Sequence, residues 1–226
     1  MTPYYEHAGI TIYHGDCREI ASTLRADVVI TDPPYNSDAI PLYGDLARLS
    51  ATVLPVGGSV LAMSGQSFLP AVLQEMHGAL CYQWMLGCFL PGGQAVQIWP
   101  RHIQAFWKPV LWFTNGPYTG RWVSDVLRSP INANDKRYHH WGQNEVVAMM
   151  LVDRFSEVGD VVLDPFVGGA SILAAAKRLG RKAIGIDIHE YACEVAAQRL
   201  AQDVLPLEAI KLTRTPAEEG DSGWTA

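Results

Sequence analysis

Four short apolar runs in this 226-residue chain each close on an aspartate: "ITIYHGD" at Asp16, "VVITD" at Asp32, "DVVLD" at Asp164 and "KAIGID" at Asp187. Runs this short and this rich in β-branched residues read as strands. Stretches of helical spacing follow or separate them: "CREIASTL", "YGDLARLSATVL", "SILAAAKRLG" and "HEYACEVAAQRLAQ". Strands alternating with helices form an α/β fold with a largely parallel sheet covered on both faces. Ligands in such sheets sit beyond the carboxyl ends of the strands, which is where all four acids fall.

Other segments fit the same scheme. "SVLAMSG" reads as a strand, "SFLPAVLQEMHG" as a helix with Pro70 near its start and Gly78 as its stop, and "KPVLWFTNG" as a strand ended by an Asn-Gly turn. "NEVVAMMLVDRFS" reads as an amphipathic helix. "GCFLPGGQAVQIWPRH" and "GRWVSDVLRSPINANDKRYHHWG" read as loops because prolines, glycines and asparagines crowd them. The length suits one domain, expected over 1–214, with the polar end 215–226 expected to fray. The apolar runs are far too short to span a bilayer, and no signal-peptide pattern opens the chain, so a cytoplasmic location without membrane partners is expected. Cys17, Cys81, Cys88 and Cys193 form no C-x-x-C pair and no zinc spacing, so free thiols and no metal are expected.

The net charge of −6 is unevenly spread. Between Trp84 and Trp141 stand Arg101, Lys108, Arg121, Arg128, Lys136 and Arg137 against only Asp125 and Asp135, together with six of the seven tryptophans. A basic, aromatic-rich middle in an acidic frame suits a nucleic-acid footprint. On composition alone, a tryptophan-rich core with solvated charges is the plainer explanation.

"VVLDPFVGGAS" reads as strand, acid, glycine turn and helix. Gly168 and Gly169 let backbone approach a ligand at a helix start, and Asp187, ending the next strand, can accept from ribose hydroxyls. Leu173 stands where the third glycine of a dinucleotide fingerprint belongs, and no P-loop is present. A small adenosine ligand without a pyrophosphate fits better than NAD or ATP.

"DPPY" early, followed late by "DPFVGGAS" and "GRKAIGIDIHEY", resembles the bacterial and phage DNA amino-methyltransferases of the beta arrangement, in which the target-base motif precedes the S-adenosylmethionine (SAM) motif. The resemblance implies a circularly permuted, Rossmann-like SAM-dependent methyltransferase fold with a seven-stranded, mostly parallel sheet. It implies that Asp164 receives the SAM ammonium, that Phe166 and Gly168 flank the cofactor, that Asp187 holds the ribose, and that Asp16 lies beside the adenine. His140 falls where the family carries a histidine. Two departures stand out: Ala170 replaces the last glycine of F-x-G-x-G, where its methyl is expected to crowd the backbone's approach to the cofactor, and Gln143-Asn144-Glu145 replaces Gln-Lys-Pro. Double-stranded DNA is the implied partner, contacted by residues of 84–141, and a homodimer is implied by the resemblance alone.

The exocyclic amine of a base is a poor nucleophile because its lone pair is delocalised into the ring. Asp32 and the carbonyl of Pro33 can accept its hydrogens and draw the nitrogen toward tetrahedral geometry. Pro33 and Pro34 stiffen the corner, which holds the acceptors before the substrate arrives. Tyr35 offers a face for a base that must leave a duplex. In the family, aspartate at the position of Asp32 accompanies N6-adenine, and serine there is commoner in N4-cytosine enzymes. N4-cytosine, RNA, and a SAM-binding module without turnover remain as alternatives.

Overall fold

The computed structural model describes residues 2–89, 95–128 and 145–201. Nine strands of these residues form one sheet, in the spatial order β1 (Tyr5–His7), β2 (Ile10–His14), β11 (Lys182–Asp187), β10 (Val161–Asp164), β3 (Val28–Thr31), β4 (Ser59–Met63), β8 (Trp107–Thr114), β5 (Cys81–Phe89) and β9 (Val126–Arg128). From β2 to β4 the strands are parallel; β8 runs against both β4 and β5, so β5 points the same way as β4. Two further strands, β6 (Val96–Ile98) and β7 (Ile103–Ala105), pair only with each other. The helices are α1 (Cys17–Ile20), α2 (Ile40–Val53), α3 (Leu69–His77), α4 (Glu145–Phe155), α5 (Ser171–Arg178) and α6 (Glu190–Ala201).

Seven of the nine strands make the expected body, and three-residue strands extend it at both edges. β1 turns back on β2 through Ala8 and Gly9, whose φ angles of 50° and 78° suit a two-residue hairpin turn. β9 adds in parallel to the end of β5. β5 itself falls where the sequence gives no strand signal. Its register slips between Tyr82 and Trp84, and this bulge interrupts the alternation by which a strand is recognised. The short β6 and β9 lie in segments read as loops, and β7 in a stretch given no assignment. Gly78 does end α3, but at φ −65° rather than in the left-handed conformation.

Strands β3 and β4 are buried along their whole length, because helices cover both faces of the sheet. Val28, Ile30, Leu61 and Met63 pack with α4, α5 and α6 on one face. Their alternating neighbours Val29, Val60 and Ala62 pack with α2 and α3 on the other. The Tyr43 hydroxyl of α2, itself buried, donates to the Met63 carbonyl at 3.0 Å and pins helix to sheet. On the opposite face α5 lies so close to β11 that a Cβ added at Gly185 would fall 2.7 Å from both Leu173 Cδ2 and Val167 Cγ2.

That close approach makes Gly185→Ala an overpacking substitution, expected to cost about 1–3 kcal/mol. Urea unfolding should show a lower midpoint at an unchanged m-value.

Candidate active site

The parallel pairing of Leu163 with Val29 sets the ends of β10 and β3 side by side. Asp164 is the last residue of β10, and Asp32 follows the last residue of β3. Beyond them opens a cavity of about 640 Å³ lined by Asp32, Pro33, Pro34, Tyr35 and Asn36 from one corner and by Asp164, Phe166, Val167, Gly168 and Gly169 from the other. Lys108 completes the wall, because β8 runs antiparallel and so begins at this rim.

Within the Asp-Pro-Pro-Tyr corner, the Tyr35 hydroxyl donates to Asp32 Oδ1. Lys108 Nζ lies 5.3 Å from the centroid of the Tyr35 ring. Gly65, just past β4, lets the tyrosine sit close: a Cβ there would lie 3.2 Å from Tyr35 Cβ. Asn36 ends the corner by accepting from Ala39 N at 3.1 Å, which caps the 3-10 turn leading into α2.

Asp164 is buried, and its Oδ1 accepts from Thr31 Oγ1 at 2.7 Å and from the Phe166 amide at 3.1 Å. Burial raises its pKa to about 7 against these two bonds, and the Asp187 charge adds to the rise. Burial also raises Asp32 to about 7; Lys108 opposes that shift and Asp164 adds to it. Asp187 binds the glycine turn to the next loop, accepting from Gly168 N at 3.0 Å and from His189 N at 2.9 Å. Asp16 caps α1 through the Arg18 amide at 2.9 Å and pairs with the Arg18 side chain; it does not line the cavity.

Ala170 corrects an expectation. It sits in the left-handed region at φ 57°, fully buried in the core beside Ile172 and Leu173, and it is absent from the cavity wall. Its methyl therefore fills space under the turn and leaves the ligand side clear. The cost of the alanine is backbone strain of about 1–2 kcal/mol.

Thr31, Gly65 and Arg199 belong to the site's framework without having been singled out in the sequence. The largely buried Arg199 side chain of α6 donates to the Gly169 carbonyl at 2.7 Å and to Ser171 Oγ at 3.2 Å, and pairs with Glu145 of α4 at 3.3 Å. A lone arginine on the apolar face between Ala196 and Leu200 is the only sequence trace of this brace.

The basic residues expected on phosphates scatter. Lys108 is in the cavity wall. Arg128, at the end of β9 and so at the same rim, lies over the Phe89 ring at 4.9 Å. Arg101 donates to the Ser67 carbonyl at 3.3 Å. Arg121 is tied to the end of α4 through the Arg154 carbonyl at 3.0 Å and pairs with Glu157 at 3.0 Å. It borders a second cavity, of about 600 Å³, walled by Trp84, Trp112, Tyr118 and Trp122. His140, Lys136 and Arg137, with Gln143, Asn144 and the end 215–226, lie outside the described residues. No helix among the described residues is long and apolar enough to cross a membrane.

A carboxyl titrating near 7 when folded and near 4 when unfolded binds more protons in the folded state between those values, so stability falls as pH rises from 4 to 7 and is level above. Each group contributes up to about 1.4 kcal/mol per pH unit, and Asp164→Asn should flatten the slope in urea midpoints taken from pH 4 to 8. Ala170→Gly should leave the affinity for a ligand of the cavity within about twofold, because the methyl it removes faces the core; isothermal calorimetry checks it.

A family model described as DNA methylase (N6_N4_Mtase) matches residues 113–198. The type II methyltransferase M.HpaI of Haemophilus parainfluenzae is 25% identical over 240 aligned residues, covering 86% of this chain and 75% of that protein. M.HindIII of Haemophilus influenzae is 34% identical over 77 residues, a third of this chain and a quarter of the other. Among solved structures, the M1.HpyAVI–SAM complex superposes with a TM-score of 0.69 at 21% identity, covering 85% of this chain and all of that one. PvuII DNA methyltransferase, described as cytosine-N4-specific, superposes at 0.73 and 16% identity, covering 89% and 90%. At these identities the structural likeness is one of fold: the chain has the α/β methyltransferase fold of these proteins.

Proposed function

We propose that this protein transfers a methyl group from SAM to the exocyclic amine of a base flipped out of DNA, and that the base is adenine, methylated at N6. The observation that carries the reading is a cavity walled by both the Asp-Pro-Pro-Tyr corner and the glycine turn.

The residues fit the cofactor. Asp164 is a buried carboxyl that holds its proton up to about 7, and an ammonium group beside it restores its charge. Gly168 and Gly169 bring bare backbone to the wall. Asp187 is not part of the cavity wall but is bonded to Gly168, which is, and its two oxygens each keep accepting capacity beyond their single backbone bond, enough for ribose hydroxyls. SAM would supply a methyl group activated by the sulfonium. The chain's own residues ready the amine.

Asp32 accepts one amine hydrogen and the Pro33 carbonyl the other, so the nitrogen lone pair is released from the ring. Tyr35 orients Asp32 through its hydroxyl, and the Lys108 charge draws Asp32 toward the ionised form. The stiff corner aims the acceptors before the base arrives. The methylated nitrogen sheds one proton, and Asp32, titrating near neutrality, is the group placed to take it.

DNA as the substrate is supported by the matching family model, described as DNA methylase, by the likeness to PvuII DNA methyltransferase, and by Arg101, Lys108 and Arg128 near the rim, with Lys136 and Arg137 as further candidates for phosphate contact. Adenine is supported by the aspartate at position 32. N4-cytosine is the second reading, because PvuII methyltransferase shares the fold and both bases present the same kind of amine. A SAM-binding module without turnover is the less favoured reading, because the Ala170 that prompted it is buried in the core and absent from the cavity wall.

Transfer from labelled SAM to DNA, followed by digestion to nucleosides and mass spectrometry, should yield N6-methyladenine; N4-methylcytosine would establish the second reading. Asp32→Ala should lower the transfer rate by about 100-fold or more while SAM affinity holds. Full activity in that variant would overturn the account of the amine site. With the wild-type protein, kcat/KM should climb with pH through about 7 and level above it, since Asp32 accepts only when ionised.

A further inference from the structure

The ribbon of β6 and β7 leaves the main sheet after Phe89, the last residue of β5, and rejoins it at Trp107, the first of β8. Both points lie on the rim that carries Asp32 and Asp164, because β5 runs with β3 and β4 while β8 runs against them. Pairing of Ile98 with Ile103 leaves Trp99, Pro100, Arg101 and His102 at the tip. Trp99 is 74% exposed there.

The tip is stiff and tethered. Pro100 fixes φ within a single 3-10 turn, and His102 closes it in the left-handed region at φ 52°, donating its amide to the Trp99 carbonyl at 3.2 Å. Arg101 holds the Ser67 carbonyl, two residues beyond the Gly65 that backs Tyr35. The indole thus projects from a turn anchored beside the proposed base platform. From Met85 to Ser124 the sequence carries Arg101, Lys108 and Arg121 and no carboxylate, a charge suited to a polyanion. Trp122, the more exposed of the two indoles, belongs to the segment tied to α4 and borders the second cavity.

We infer that Trp99 is a wedge that enters the duplex at the target pair and fills the gap left in the stack when the base flips out. The inference rests on the reading of this protein as a DNA amino-methyltransferase. Extruding a paired base forfeits its stacking, and a flat indole inserted at that step replaces part of what is lost. A target base already weakened in its pairing needs the wedge less. Trp99 is therefore a positioning residue, acting on the duplex rather than on the reacting atoms.

The test uses oligonucleotide duplexes bearing the sequence found by methylome sequencing of a methylation-free host expressing the protein, with the target base either paired or mismatched. Trp99→Ala should lower kcat/KM on the paired duplex by about 10-fold or more, the equivalent of losing one base–aromatic stack. On the mismatched duplex it should stay close to the unsubstituted protein, and Trp99→Phe should keep most activity on both. With 2-aminopurine at the target position, the fluorescence rise on binding should be lost in Trp99→Ala. An equal loss on both duplexes, as from a structural or protein-docking role, would overturn the inference, and so would no loss on either. Failure of the unsubstituted protein to methylate any DNA is a separate outcome: it removes the parent reading, and the wedge with it.

Discussion

The site depends on the parallel pairing of β3 with β10. A parallel neighbour brings the end of one strand within about 5 Å of the end of the next, so two corners coded far apart in the chain become opposite walls of one cavity. Thr31 Oγ1 bonding Asp164 Oδ1 locks that junction across a sequence separation of 133. A register slip of one residue would turn Val28 and Ile30 to the other helical layer and carry Asp32 out of line with Asp164. The apolar faces of β3, packed against helices on both sides, make such a slip costly. Core packing and site geometry are therefore the same constraint.

Around that junction the protein accepts two kinds of expense. Two carboxyls stand where burial opposes their ionisation, and a non-glycine residue holds a left-handed φ at the start of α5. Functional sites commonly store such strain, and surrounding structure sustains it. Here the support is visible in Arg199, which reaches from α6 to the Gly169 carbonyl, and in Asp187, which binds Gly168 to the loop after β11.

Much of this was legible in the sequence, for definite reasons. β2, β3, β10 and β11 are short apolar runs with turn residues beyond them, and their acids mark the carboxyl ends, so both the sheet and its working rim could be read from the chain. β5 could not, since its bulge at Gln83 breaks the alternation and its residues are only partly covered. The β6–β7 ribbon could not either, because three-residue strands carry too little pattern to rise above the surrounding prolines and glycines. Lys108 was legible as a cation but not as part of the cavity wall, which follows only from the reversed direction of β8. Arg199 and Thr31 act through partners distant in sequence, and spacing along one segment does not report such bonds. The Ala170 methyl was assigned to the wrong side of its turn, because side-chain direction at a left-handed residue depends on the packed helix behind it.

The order of the strands also bears on how the molecule is made. β3 and β4 leave the ribosome early, yet the strand that covers one long edge of β3 follows only after β5, β8 and α4. Until then that edge offers open backbone groups and uncovered apolar side chains, the condition under which nascent chains associate wrongly. A stop codon or proteolytic cut ahead of β10 would thus leave more than an inactive fragment: it would leave an adhesive one, for quality-control machinery to clear.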